Sequence, residues 1–276
     1  DIFLTVEADT EDELREKLKT EGENILKYFA SNRLVANASK TALILFGPRR
    51  DGDPFKIELS GETISETASE KLLGVHIQSD LKWTKQVEKV TSETSYALSV
   101  LRRLAGELGR KEMRTIADGL VNSKLRYCLP VYASESLRIV EADAQSTLMS
   151  RLQRTQNDML RIVCGKRRRD HVRIVDMLSE LGFLSVNQSA AYGLLIESWK
   201  ARNFHVPILK DLLQNKRNES MGLRSNSAGM LSTQGRDKIT LNLERLWNMS
   251  SARFRSTNLL KVAKIEAKIL VKSLPV

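Results

Sequence analysis

The hydrophobic pattern changes its period near residue 83, and that change limits the folds open to this 276-residue chain. Between residues 51 and 80 short runs alternate apolar and polar between turn signals. Residues 51–54 are turn chemistry, residues 55–59 alternate as a half-buried strand does, Gly61 marks another turn, and residues 72–77 read as a further strand before Ser79 and Asp80. From about Trp83 onward the spacing becomes helical. Val87, Val90, Thr91, Thr94, Leu98 and Leu101 share one helix face, with Lys85, Lys89 and Arg103 on the other. A period of two followed by a long stretch of period 3.6 predicts an α+β protein whose sheet-bearing part comes first.

The segment before this switch completes the first part. Residues 2–6 are strand-like. Thr10 and Glu13 have capping-box spacing, and Leu14, Leu18, Ile25 and Phe29 form one stripe of a helix running to about Ala30. Residues 41–46 read as a strand closed by Gly47-Pro48. After residue 83, Gly106 and Gly109 end the first long helix, and residues 113–127 form the next, stopped before Pro130. In residues 148–163, Leu148, Leu152, Met159 and Val163 make a buried stripe, with Arg151, Arg154 and Arg161 roughly opposite. Gly165 is the expected C-terminal cap, followed at once by Lys166-Arg167-Arg168-Arg169. Cations there suit the helix dipole, so the run reads either as a solvated cap or as a nucleic-acid contact. Helices are expected over residues 174–181, 186–203 and around 259–271, with a polar Gly/Ser/Asn-rich loop over 215–235.

Charge is unevenly placed. The net charge is +10, but residues 1–100 carry 13 Lys+Arg against 18 Asp+Glu, and residues 101–276 carry 31 against 16. A surplus of fifteen positive charges on one segment favours a polyanionic partner. The two cysteines, Cys128 and Cys164, have no paired motif and read as buried small hydrophobes in a reducing compartment. His171 and His205 lack ligand-spaced partners, which argues against a zinc site. Without a run of about 20 apolar residues or a signal-peptide pattern, the chain reads as intracellular, nuclear or cytoplasmic, with no membrane partner.

Two blocks in a fixed order carry a family resemblance: YFASNRLVANASKTALILFGPRR over residues 28–50 and KLLGVHIQSDLKW over residues 71–83. Together they resemble the reverse transcriptases of non-LTR (LINE-type) retrotransposons, in the polymerase segment after the catalytic carboxylate turn and in the hairpin that grips the primer. The resemblance covers essentially the whole chain, strongly over residues 28–130 and more loosely beyond. Leu152-Gln153-Arg154-Thr155-Gln156-Asn157, Leu160-Arg161-Ile162 and Arg245-Leu246-Trp247-Asn248 are similar to the family's helical tail. It implies a β-α-β-β palm remnant with the primer-grip hairpin over residues 1–80, a helical thumb over 81–165, and a basic helical C-terminal region over 166–276.

The resemblance also implies roles. Asp1 would be the last aspartate of the catalytic pair and a Mg²⁺ ligand of the intact enzyme, and Lys40 the lysine that neutralises the leaving pyrophosphate. A surface lysine at a strand edge is the other reading of Lys40. Gly74 would allow close backbone approach to a nucleic-acid strand, and His76 would meet a phosphate or be simply a half-exposed polar residue. Lys85, Lys89, Arg102 and Arg103 would face the product duplex, with Arg151, Arg154, Arg161, Lys166, Arg167, Arg168 and Arg169 extending the contact. Gln78 stands where an acidic residue is frequent in the family. Starting inside the active site, the chain is expected to be inactive as a polymerase alone, to need no cofactor or small-molecule substrate, and to keep non-specific binding to RNA and DNA. The alternative is a basic helical scaffold that meets an acidic protein and has no nucleic-acid function. An intact transferase of another kind would need a nucleophile, an acid/base pair or a phosphate-cradling loop, none of which the sequence offers.

Overall fold

The structure, a computed structural model, describes residues 2–37, 40–47, 52–59, 61–144, 146–204, 231 and 237–276. The chain is α+β, with two small antiparallel hairpins followed by a long helical part, and it divides into compact units of residues 1–86 and 87–276.

In the first unit, helix α1 (Glu11–Ser31) is capped by Thr10, whose side chain accepts from the Glu13 N–H at 3.3 Å. Glu13 reaches back one residue further than a capping box requires, accepting from the Asp9 N–H at 3.4 Å. Strands β1 (Lys56–Leu59) and β2 (Glu62–Ser65) form one hairpin, β3 (Ser69–Leu72) and β4 (Val75–Gln78) the other. Leu14 of α1 packs with Phe55, Ile57 and Ile64 as the core. Arg15 seals its edge, with its guanidinium 5.0 Å above the Phe55 ring and Nε donating to the Lys56 carbonyl at 3.2 Å. Gly22 sits mid-helix because Leu59 occupies the space a Cβ would need, with its Cδ1 2.7 Å from that position.

Three expectations need correcting here. Residues 2–6 and 41–46 form no ladder among the described residues apart from a single bridge, Leu43 to Glu66. Their apolar residues nevertheless pack on the core through Val6, Leu43 and Leu45. Alternation reports which face is buried and says nothing about whether a neighbour supplies hydrogen bonds. Residues 72–77 are not one strand. Leu73 (φ 46°) and Gly74 (φ 87°) form the two-residue turn between β3 and β4, and positive φ at both central positions is the geometry that matches strand twist.

Helix α2 (Thr84–Leu104) runs from the end of the first unit into the second. There, residues 113–127 are not one regular helix: α3 (Arg110–Ala117) passes through a π-helical turn, Asp118–Asn122, into α4 (Ser123–Arg126). Cys128 at φ 49° ends the run, and Pro130 lies in the first turn of α5 (Leu129–Ala133), where its missing N–H costs no hydrogen bond. The proline therefore opens a helix as well as following one.

Helices α6 (Thr147–Cys164), α7 (Ile174–Leu181) and α8 (Val186–Asn203) come next, then α9 (Lys238–Met249), α10 (Ala252–Ser256) and α11 (Leu260–Val271). Buried residues ring α8, from Ala190, Leu194 and Leu195 to Ser198, Trp199 and Ala201, because α5, α6, α9 and α11 all pack against it. The polar stretch over residues 215–235 and His205 lie outside the described residues, Leu231 excepted. Cys128 and Cys164 are free and half-exposed, not buried as expected.

Candidate nucleic-acid interface

The first unit holds the hairpin with the polymerase-like sequence. Gln78, at the end of β4, turns its Oε1 onto the start of α2, accepting from the Lys85 N–H at 2.8 Å and the Thr84 hydroxyl at 2.9 Å. It satisfies an N–H of the first turn that has no helical partner, so a strand side chain acts as the helix cap. In return, buried Gln86 accepts the His76 N–H at 2.9 Å, and Lys85 Nζ donates to Ser69 Oγ at 2.6 Å. Side-chain amides thus tie β4 to the helix start, and the Lys85 ammonium ties β3 to it. A carboxylate at position 78 could accept the same bonds, so glutamine in place of an acidic residue keeps the cap.

Gly74 lies in the hairpin turn, with His76 half-buried two residues on. Lys40 is exposed, and Asp1 lies outside the described residues. A cleft of about 1030 Å³ in this unit has Glu11, Asp53, Glu66 and Asp80 on its walls against Lys82 and Lys85.

In the second unit the cations divide into tied and untied groups. Arg151 of α6 meets Glu88 at 3.9 Å, and Lys124 of α4 meets Glu93 at 4.0 Å, so part of the positive charge beside α2 is neutralised. Arg161 and Arg168 converge on Asp158 at 3.5 and 3.2 Å. Gly165 takes the left-handed conformation, and the Lys166 N–H closes the end of α6 on the Arg161 carbonyl at 2.8 Å, as a glycine C-cap should. The Arg167 N–H donates to Asp170 at 2.7 Å. Within the Lys-Arg-Arg-Arg run only Arg168 places its guanidinium on a carboxylate among the described residues, the Lys166 and Arg167 contacts being backbone N–H bonds. Lys166, Arg169, Arg154, Arg102 and Arg103 are exposed and form no ion pair among the described residues, whereas Lys89 is half-buried.

Several motif residues chosen by resemblance are structural. Gln156, only 2% exposed, donates to Asn122 Oδ1 at 3.2 Å and to the Leu184 carbonyl at 2.9 Å. Gln153 donates to Gln156 Oε1 and Asn157 Oδ1 at 3.0 and 2.8 Å, and accepts the Val186 N–H at 2.9 Å. The Gln-Arg-Thr-Gln-Asn segment is thus a buried polar knot joining α6 to the π-helical turn and to the start of α8, with Arg154 alone on the outside. In Arg245-Leu246-Trp247-Asn248, Leu246 and Trp247 are core, and Asn248 pairs with both backbone groups of Leu231 at 2.8 and 2.9 Å.

Sequence reasoning missed a further set. Asn187 donates to the carbonyls of Arg138 and Pro275, and Gln188 to that of Leu274. Asp143 accepts from the Val140 and Ile139 N–H groups, which with Arg245 and Arg138 hold its carboxyl below the usual range against the opposing effect of burial. Arg114 donates to the Leu181 carbonyl at 2.6 Å and stacks 4.9 Å from the Phe183 ring. Arg110 meets Glu180 at 2.5 Å, and that hydrogen bond, with one to Cys164 Sγ, raises its already high pKa. Side-chain amides on helix faces carry no sequence signal of what they will meet. Only their low exposure in the fold reveals them.

Among the described residues no group of three or more His, Cys, Asp and Glu is placed to hold a metal ion. Among the same residues no helix is long and apolar enough to cross a membrane. Comparison with protein-family models, with curated proteins and with solved structures returns no match.

Proposed function

We propose that this chain is the thumb and helical C-terminal region, with part of the palm, of a non-LTR retrotransposon reverse transcriptase, and that by itself it binds RNA and DNA through their phosphates without reading sequence. The observation that carries this reading is the charge surplus of residues 101–276, 31 Lys+Arg against 16 Asp+Glu, with Arg102, Arg103, Arg154, Lys166 and Arg169 exposed and unneutralised among the described residues. Such side chains suit contact with a phosphate backbone, which positions a duplex and carries no sequence information. Arg102 and Arg103 lie in the last turn of α2 and Lys166 and Arg169 just past the end of α6, where the helix dipole favours a cation and the side chains can still reach outward.

The first unit supports the same reading differently. Its hairpin, locked to the first turn of α2 by Gln78 and Gln86, is a rigid ledge with a glycine turn, as a strand that lies against a primer requires. The chemistry of polymerisation belongs to the complete family enzyme with its Mg²⁺; binding is the contribution of this chain, with no membrane or small-molecule partner. Fluorescence anisotropy with mixed-sequence RNA and DNA, single- and double-stranded, tests the proposal together with primer extension on a homopolymer template. Binding indifferent to sequence and no extension are expected. Absence of binding at low salt contradicts the reading and favours the protein-interaction scaffold, and Mg²⁺-dependent synthesis contradicts the assignment of chemistry elsewhere.

A further inference from the structure

Helix α11 presents a second cationic surface that none of the arginine-rich segments above includes. Lys261, Lys264, Lys268 and Lys272 recur at three, four and four residues, which places them on one stripe of the helix. All four are exposed, and among the described residues none meets a carboxylate. The one acidic residue of the helix, Glu266, is turned away from them, accepting from the Ser251 hydroxyl at 2.8 Å and pairing with Arg253 at 3.6 Å. On the opposite side Ala263, Ala267 and Val271 are fully buried, and the helix packs on α8. Several arginines elsewhere in the second unit, Arg110, Arg126, Arg161 and Arg173 among them, meet carboxylates; among the described residues this lysine row meets none.

We infer that the lysine face of α11 is a phosphate-backbone track for nucleic acid, an inference that rests on the binding function proposed above. At a rise of 1.5 Å per residue the four lysines span about 16 Å along the helix, with neighbours about 5–6 Å apart. A duplex carries one charge per roughly 1.7 Å of axis with both strands counted, so a length equal to that span holds on the order of ten phosphates, of which those on the facing side suffice for four ammonium groups. Lysine suits this contact as a mobile point charge that needs no fixed geometry. An anionic membrane would also attract the row, but a surface helix holds a bilayer by burying its apolar face, and in α11 that face is already spent on α8. Ile265 and Ile269, 52% and 63% exposed, flank the row and are too few to replace it.

The test compares the full chain with a variant carrying Lys261→Gln, Lys264→Gln, Lys268→Gln and Lys272→Gln, and with a control carrying Lys19→Gln, Lys27→Gln and Lys56→Gln in the first unit. For mixed-sequence RNA and DNA, the slope of log K against log salt should become shallower by about 3 in the α11 variant, since each lost phosphate contact removes roughly 0.7–0.9. The control should keep most of the original slope. Thermal unfolding should be unchanged in both, because the substituted side chains are exposed. If the unaltered chain binds and the α11 variant keeps its slope, the inference fails while the proposed function stands. If the unaltered chain does not bind at low salt, both fall. Loss of binding to phosphatidylserine vesicles with an unchanged nucleic-acid slope assigns the row to a membrane surface and overturns the inference.

Discussion

Gln78 shows how a single side chain can be misjudged from sequence. The resemblance to sequences with an acidic residue there suggests that a role has been lost, yet the Gln78 Oε1 caps the first turn of α2 through Lys85 and Thr84. Gln78→Ala should therefore destabilise the first unit by about 1 kcal/mol, the ordinary cost of losing a helix cap, with the transition followed by urea denaturation. An unchanged midpoint would show that the cap contributes nothing. Leu73 is the opposite case. Its φ of 46° is unfavourable for a side chain, a cost accepted so that Leu72 and Val75 can face each other across the hairpin, and a leucine gives no warning of it. The cap residues Thr10 and Gly165 were legible because their chemistry is local, whereas Gln78, Gln86 and Asn187 act on partners distant in sequence or in another element.

At the scale of elements, periodicity located α1, α2 and α6 because each has a stripe facing a core, whereas α7, α8 and α11 were expected as helical runs without an assigned stripe, and buried residues ring α8. It missed the π-helical turn at Asp118–Asn122, which stays inside a continuous helical path and leaves the spacing of apolar residues nearly intact. That turn is fixed from outside by Gln156, whose amide reaches Asn122 and the Leu184 carbonyl. Gln156→Leu keeps the volume and removes the partners, and should lower the stability of the second unit by about 1–3 kcal/mol in chemical denaturation, because buried acceptors are left unsatisfied. A variant as stable as the parent would mean that the knot can be replaced by packing. Helix α9 is started by Asp237, which accepts from the Thr240 N–H and hydroxyl, both at 2.8 Å. These bonds hold its carboxyl below the ordinary value, so the stabilisation is present above the usual carboxylate range and is lost as pH falls through the lowered value. Asp237→Ala should cost about 1 kcal/mol at neutral pH, and the difference from the parent should shrink on acidification below about pH 4. Asp237→Asn should retain most of the cap at every pH. A pH-independent gap between the parent and the alanine variant would remove the carboxylate from the account.

For the molecule as a whole, the α+β order and the uneven charge were both readable from the sequence, since hydrophobic period and residue counts survive without knowledge of contacts. Which cations remain available was not readable. Arg110, Arg151, Arg161 and Arg168 look equivalent to Arg154 and Arg169 until Glu180, Glu88 and Asp158 are seen beside them. The segments over residues 2–6 and 41–46 read as strands, yet among the described residues they form no ladder beyond the Leu43–Glu66 bridge, and only Val6, Leu43 and Leu45 of their larger apolar residues reach the core. The proposed function assigns the charge surplus of residues 101–276 to binding of phosphate backbones. The direct measurement is the affinity of the full chain for a mixed-sequence duplex from about 50 to 200 mM salt. With six or more phosphate contacts, affinity should fall by roughly a thousandfold or more across that range and hardly vary with sequence. Affinity that is flat with salt, or absent at the lowest salt, would contradict it.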